Sequence, residues 1–501
     1  MDLSNVGTVG IIGAGVAGLS TAKVLLAQGL TCTVLERNAV LGGVWTTGYS
    51  NFGTQVQREL YEFPDMPLPK DVPDFTPGPI IQRYLEDYAR QFGLWPHLRF
   101  GAEVTALRQD GSGTGWHLSY IENGSNHEAQ FDLVVVCIGL YSNTPHLPRF
   151  EHQEQFSGEI IHVSELSNTA RLAGKKVAVV GFGKSATDAA LESAKVAATT
   201  TIIFREAHWP VPPLLLGALP FKWAMLNRLT STLIPLYYRP TNLERAVHTL
   251  GKPLVWLWWR LVELLLIAQY GLGSRFGTRL SLVPTTPIEI DAFGESVMLP
   301  RPDFYRSMRN GRICPLLTKI AHYTPTGLML QSGIAVDADV VILATGWKSD
   351  YGFLSDEVRS RLTFEEDGLY LYRQMIHPGV PNLVFVGNAS TIASILTYSL
   401  QARWLGELIK GNHQLPSGET MALVIDKIKT WKRKSMPFSQ GRAARLLLHM
   451  QHYHDELLTD FGASPLRKTG ICAPFKEAFA PYEPNDYRAI ASGDWNENET
   501  R

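Results

Sequence analysis

Residues 8–36 constrain the fold more than any other stretch of this chain. A short apolar run, Thr8-Val9-Gly10-Ile11-Ile12, enters Gly13-Ala14-Gly15-Val16-Ala17-Gly18. A helical stretch from Leu19 to Ala27 follows, and a second apolar run, Cys32 to Leu35, ends on Glu36. Strand, glycine turn, helix, strand and acid in this order make a dinucleotide-binding (Rossmann-like) unit of an α/β protein. Gly13 allows the tight turn, Gly15 lets the backbone approach a pyrophosphate, and Gly18 lets helix and strand close together. The backbone N–H groups around Val16 and Ala17 lie at the positive end of the helix, where a phosphate binds. Glu36, 18 residues past Gly18 and followed by Arg37, stands where a carboxylate accepts hydrogen bonds from a ribose diol. A glycine turn kept only for packing gives no reason for an acid at that distance.

The next residues extend the same site. Gly42-Gly43-Val44-Trp45 follows within ten residues of the acid, so Gly43, Val44 and Trp45 are expected along the same bound dinucleotide. The aromatic, proline-rich stretch from Tyr49 to Pro69 reads as a loop over the site. An amphipathic helix is predicted over 80–92 and a strand over 99–107, in which Val104 presents its backbone to an adenine. Trp116 to Tyr120 and Phe131 to Val136 read as strands of a small sheet.

A second beginning appears at Lys176. The apolar strand Lys176 to Val180 enters Gly181-Phe182-Gly183-Lys184-Ser185-Ala186-Thr187-Asp188, and the strand Thr200 to Phe204 closes on Arg205. Ala186 replaces the third glycine, and an arginine stands where the ribose acid would be. A guanidinium there suits a 2′-phosphate, so Gly181, Gly183, Lys184, Ser185 and Arg205 predict an NADP site rather than an NAD site. Further on, Asp339 to Leu343 leads into Ala344-Thr345-Gly346, and Leu383 to Val386 leads into Gly387, a strand end of the first site's style.

Composition narrows the classes. Lys+Arg of 46 against Asp+Glu of 47 leaves a net charge of -1, and no field favours nucleic acid. The basic run Lys427, Lys429, Lys432, Arg433, Lys434 reads as a solvated helix face. Cys32, Cys137, Cys314 and Cys472 lie far apart, which excludes a redox dithiol and fits a reducing compartment. With no basic-then-apolar leader, a cytoplasmic location is expected.

Between Ala207 and Leu272 prolines punctuate runs rich in Leu and Trp, such as Leu254-Val255-Trp256-Leu257-Trp258-Trp259. Arg260 and Glu263 interrupt the run, so it lacks the roughly 20 unbroken apolar residues of a membrane span. Two readings stand: a helical insertion capping a substrate cavity, which is preferred, or peripheral membrane contact through 207–272 on the cytosolic face of an internal membrane.

One acid-ended and one arginine-ended unit imply two cofactors, FAD and NADPH. The architecture expected is an NADP domain inserted into a split FAD domain: 1–165 and 326–420 for FAD, 166–325 for NADP with the apolar helical insertion at about 207–280, and a tail at 421–501. Hydride passes from nicotinamide to flavin, and without a cysteine pair the reduced flavin is left to react with O2.

The chain resembles the class B flavin-dependent monooxygenases, near the flavin-containing (dimethylaniline-type) and related Baeyer–Villiger enzymes. The resemblance is carried by both glycine motifs and by Gly42-Gly43-Val44-Trp45. Phe156, Gly158 and His162 match FxGxxxH, and Ala344-Thr345-Gly346 matches ATG. Gln401-Ala402-Arg403-Trp404 and Tyr453-His454-Asp455-Glu456-Leu457-Leu458 also look like these enzymes. The resemblance implies transfer of one oxygen atom from O2, through a flavin C4a-(hydro)peroxide, to a lipophilic small molecule, as in secondary metabolism. Gln55, spaced like the family's NxPK asparagine, is then the catalytic amide. Leu166-Ser167 after His162 fits neither the heteroatom nor the Baeyer–Villiger ending, so N- or S-oxygenation, hydroxylation and ketone oxidation stay open. A membrane-associated flavin-binding protein with little turnover is the alternative of another class.

Overall fold

The computed structural model describes residues 3, 5–111, 113, 115–141, 144–273, 281–293, 301 and 303–495. Two five-stranded parallel sheets organise it. The first has the order Leu383–Phe385, Leu133–Val136, Thr8–Ile12, Thr31–Glu36, Leu98–Phe100. The second has the order Cys314–Leu317, Thr199–Phe204, Lys176–Val180, Val340–Leu343, Glu159–His162. Central strands such as Leu133–Val136 and Val340–Leu343 are buried along their whole length, as parallel strands covered on both faces must be.

Several sequence expectations shift here. The strand predicted over 99–107 breaks at Gly101, which has a φ of 64°, into Leu98–Phe100 of the parallel sheet and Ala102–Gln109 of an antiparallel one. The run Phe131 to Val136 divides at Asp132. Ser125–Phe131 joins the small antiparallel sheet, and Leu133–Val136 crosses to lie beside Thr8–Ile12. Asp132 fixes that crossing by accepting hydrogen bonds from the Gly7 and Thr8 amides at 3.0 and 2.8 Å.

The expected domain limits at 165/166 and 325/326 do not follow the sheets. Glu159–His162 and Val340–Leu343 pair with each other inside the second sheet. The chain crosses instead near Thr144–Pro145 and Trp347–Lys348, which pair antiparallel. The matched FxGxxxH and ATG residues meet at this crossing. The Gly346 carbonyl can only accept, so His162 carries its proton on Nε2 (3.2 Å), and Nδ1 lies 2.8 Å from Ser164 Oγ. Burial holds the His162 pKa below its usual value.

The insertion is helical, as expected, with Phe221–Met225, Arg228–Ser231, Asn242–Thr249 and Lys252–Tyr270. Its expected end, 274–280, lies outside the described residues. Helix Lys252–Tyr270 buries Val255, Trp259, Val262 and Leu266, spaced four, three and four apart, and so presents one stripe inward. No helix among the described residues is long and apolar enough to cross a membrane.

The basic run departs from a plain solvated face. Lys429 and Arg433 reach Glu365 at 3.0 and 2.9 Å, and Arg433 also reaches Asp367 at 2.8 Å. Lys432 is fully buried with its ammonium group on the Ala443 carbonyl, and burial pushes its pKa far down. The residue points inward because it sits one turn after the buried Ile428 on helix Gly418–Ser435.

Candidate functional site

The first glycine turn is built as its spacing requires. Gly13 has a φ of 104°, and a Cβ there would lie 2.6 Å from the Cys137 carbonyl; one on Gly18 would lie 1.9 Å from the Gly13 carbonyl. Gly15 differs, because it faces the backbone of Gly43, whose Cα would be 3.7 Å from an added Cβ. The two glycine turns therefore pack against each other, with no room for a side chain between them. Helix Val16–Ala27 has Gly15 as its N-cap, and no side chain satisfies the first turn. Glu36 is buried and holds the turn together. One oxygen accepts from the Ala14 amide at 2.8 Å, the other from the Asn38 amide at 2.9 Å and side chain at 2.8 Å.

The other residues expected at the first site are placed as follows. Trp45 is buried, stacks on Phe52 and donates its indole N–H to Tyr61 at 3.1 Å, whereas Val44 and Arg37 are exposed. Val104 lies half-buried in Ala102–Gln109 at a register slip, opposite Tyr120. Gly387, at a φ of 93°, comes against Ala17, whose Cβ would be 3.0 Å from an added Cβ. Asn388, missed in the sequence, follows it with a buried Nδ2 that has no partner. Its position straight after Gly387 was the available signal. An uncapped helix start, two glycine backbones in close approach and the orphaned Asn388 amide fit a bound FAD.

The second turn repeats the geometry. Gly181 has a φ of 127° and abuts the Ala344 carbonyl, 2.5 Å from an added Cβ. Ala186 is buried against it, so the third glycine of the motif is not needed here. Gly183 is the N-cap of helix Lys184–Ser193, again with no side-chain cap and nothing within 4 Å of an added Cβ. That open space above a helix start fits a dinucleotide phosphate. Arg205 is exposed just past Thr199–Phe204. Lys184 turns along its own helix to Asp188 at 2.5 Å.

Gln55 is exposed on the loop that follows Trp45. The same loop ties the sites together, since Tyr49 donates to Asp188 at 2.8 Å and Asn51 donates to Glu192 at 2.8 Å. Arg301 reaches Asp188 at 3.1 Å and Glu192 at 2.6 Å. Tyr49 was read only as loop; nothing in its sequence neighbourhood marks the partner.

Under the insertion lies a small apolar cavity of about 40 Å³. Trp209, Trp259, Val262 and Leu266 wall it on one side, and Ile392 and Leu448 on the other. Ile392 is five residues past Gly387 in the chain. At its edge Asp291 accepts from the Trp209 amide at 2.9 Å and from His208 Nδ1 at 3.2 Å.

Two parallel sheets, each with a glycine turn at a helix start, define a two-dinucleotide flavoprotein. The chain belongs to the flavin-binding monooxygenase-like family, whose model matches residues 7–247 and 307–500. A probable flavin-containing monooxygenase 1 of Arabidopsis thaliana is 31% identical over 96% of this chain and 96% of its own. A dimethylaniline monooxygenase [N-oxide-forming] 2 of Cavia porcellus is 28% identical over 97% of this chain and 89% of its own. Among solved structures, the polycyclic ketone monooxygenase of Thermothelomyces thermophila matches with a TM-score of 0.68 and 17% identity, over 97% of this chain and 88% of that one. The S-allyl-L-cysteine S-oxygenase of Allium sativum matches at 0.63 and 18%, over 98% and 96%. The protein is an NADPH-dependent, FAD-containing monooxygenase acting on a small molecule and O2.

Proposed function

We propose that this enzyme places one oxygen atom on the nitrogen or sulfur of a lipophilic small molecule, of the kind made in secondary metabolism. The carrying observation is the pair of glycine turns, each at a helix start without a side-chain cap, in a chain similar over its full length to flavin-containing monooxygenases. The apolar lining of Trp209, Trp259 and Leu266 under the insertion favours an uncharged ligand. Gly13, Gly15, Val16, Ala17 and Gly18 hold the FAD pyrophosphate, Glu36 and Arg37 its ribose end, Val104 its adenine, and Gly43, Val44, Trp45, Gly387 and Asn388 the remainder. Gly181, Gly183, Lys184 and Ser185 hold NADPH, with Arg205 on the 2′-phosphate. Bound flavin supplies the redox chemistry, taking a hydride from nicotinamide and reacting with O2. Gln55 lies on the loop joining the two halves, and its amide is the hydrogen-bond donor assigned to the reaction. Full-length similarity to an enzyme named for N-oxide formation favours a heteroatom over a ketone.

Mass spectrometry across amine, thioether and ketone panels tests this reading. Gain of one oxygen by an amine or thioether is expected, with NADPH consumed in step. Ester formation from ketones alone would replace it with a Baeyer–Villiger reaction, and peroxide equal to NADPH with every substrate would remove it.

We propose as well that the outer face of the insertion rests on a membrane, at the cytosolic side. Leu254, Trp256, Leu257, Leu261 and Leu264 of helix Lys252–Tyr270 are 73, 59, 47, 48 and 61% exposed. Six Lys and Arg against two Glu between 207 and 272 suit an anionic surface. Co-sedimentation with anionic vesicles, lost in Leu257→Asp/Leu261→Asp, is the expected result; no sedimentation of the native protein rejects the contact.

A further inference from the structure

Two sequence stretches have no part in the chemistry above: Gln401 to Trp404, and Tyr453 to Leu458. They lie on facing helices, Ser394–Ile409 and Met450–Asp460. Gln401 Oε1 accepts the Gly387 amide at 2.9 Å, and Gln401 Nε2 donates to the Tyr453 hydroxyl at 2.7 Å. That hydroxyl in turn donates to the Arg373 carbonyl at 2.6 Å. Gln401, Tyr453 and Arg373 are all buried, so no water replaces a broken link. One helical turn earlier, Thr397 Oγ1 meets Thr391 Oγ1 at 2.7 Å and His454 Nε2 at 2.8 Å. Residues 387 and 391, the two ends of the flavin turn, are thus both tied to the same tail helix.

The far end of the chain of bonds is also fixed. Arg373 and Gln374 have φ values of 51° and 56°, a left-handed pair that non-glycine residues adopt only when their surroundings hold them. The Arg373 guanidinium reaches Asp460 at 2.7 Å and Glu456 at 3.1 Å, and Trp404 donates to Asp460 at 2.9 Å. Met450–Asp460 therefore grips Arg373 by its carbonyl through Tyr453 and by its side chain through Asp460.

We propose that the tail helix Met450–Asp460 is a positioning element of the flavin site, acting through Tyr453 and Gln401 on the Gly387-Asn388 turn. The inference rests on the assignment of FAD to the first site. Its physical content is that the Gly387 amide, beside Ala17, is held by a buried chain of side-chain bonds whose anchor lies 66 residues downstream, at Tyr453. Breaking a link loosens the turn that carries the orphaned Asn388 amide.

Release of flavin from purified holoenzyme, followed by its fluorescence on dilution, measures the effect. Gln401→Leu and Tyr453→Phe should each weaken FAD binding about tenfold. The double variant should lose no more than either alone, because both cut one chain. At saturating FAD the two disrupting variants should also shift the visible flavin absorption and raise the peroxide released per NADPH, which a loss of packing alone does not do. Native FAD affinity in Tyr453→Phe or Gln401→Leu overturns the proposal. Should Gln401→Leu not fold, Tyr453→Phe, which fills the same space, decides. A native protein that holds no flavin at all defeats the cofactor assignment instead.

Discussion

Tyr49, on the loop of the first dinucleotide unit, donates its phenol to Asp188 of the second at 2.8 Å. Asp188 is wholly buried and is also held by Lys184 and Arg301. Burial and the Asp188 charge both raise the Tyr49 pKa, so it remains a donor across the working range. The contact joins the NADP helix to the loop that carries Gln55. Tyr49→Phe should cost about 1 kcal/mol of stability and raise the KM for NADPH several-fold, with FAD content unchanged. A thermal scan and an NADPH titration read the two effects. Unchanged NADPH affinity would limit Tyr49 to packing.

Gly183 and Gly18 separate packing from cofactor binding. An added Cβ at Gly18 would lie 1.9 Å from the Gly13 carbonyl, so Gly18→Ala should disturb the fold and yield colourless protein. At Gly183 the added Cβ meets nothing within 4 Å. Gly183→Ala should therefore fold, stay yellow and keep its melting temperature, yet lose NADPH binding because the methyl group occupies the phosphate approach. Normal NADPH kinetics in that variant would move the phosphate away from this turn.

Arg205 is exposed one residue past its strand, where the acid of the first unit has its counterpart. As proposed, its guanidinium would bear on NADPH and not on NADH, because only NADPH carries the 2′-phosphate. Arg205→Ala should raise the KM for NADPH by about tenfold or more, as loss of a charge-assisted bond does, and leave that for NADH alone. A ratio of the two that does not move removes Arg205 from the site.

Much of this was legible because glycine turns and strand ends are local. Gly13 to Glu36 and Gly181 to Arg205 each fold from contiguous residues, and their spacing carries the geometry. Sheet membership was not legible for Val340–Leu343, since a buried apolar run reads alike in either sheet; its partners Lys176–Val180 and Glu159–His162 decide it. Lys432 looked like surface because its neighbours are charged, and only the packing of helix Gly418–Ser435 turns it inward. The Gly387–Gln401–Tyr453 chain joins residues 52 and 14 apart, a separation that no single-sequence pattern records.

The same tail helix carries an acid-sensitive group. His454 is buried beside Tyr453 and edge-on to Tyr487, with Nε2 on Thr397 and Nδ1 without a partner. Burial pushes its pKa down to about 3. In the unfolded chain the imidazole takes up a proton near pH 6.5, while the folded ring refuses it. The stability from this residue is therefore complete above about pH 6.5 and lost as pH falls toward about 3, at about 1.4 kcal/mol per pH unit. His449, buried on Pro235 and beside His452, pulls in the same direction. Melting temperature should fall steadily below about pH 6.5, with flavin released over the same range, because this helix anchors the Gly387 turn. His454→Gln keeps a hydrogen-bonding group for Thr397 and removes one titration, so its decline with acid should be shallower by that slope. Parallel curves for the two proteins would place the acid-sensitive group elsewhere.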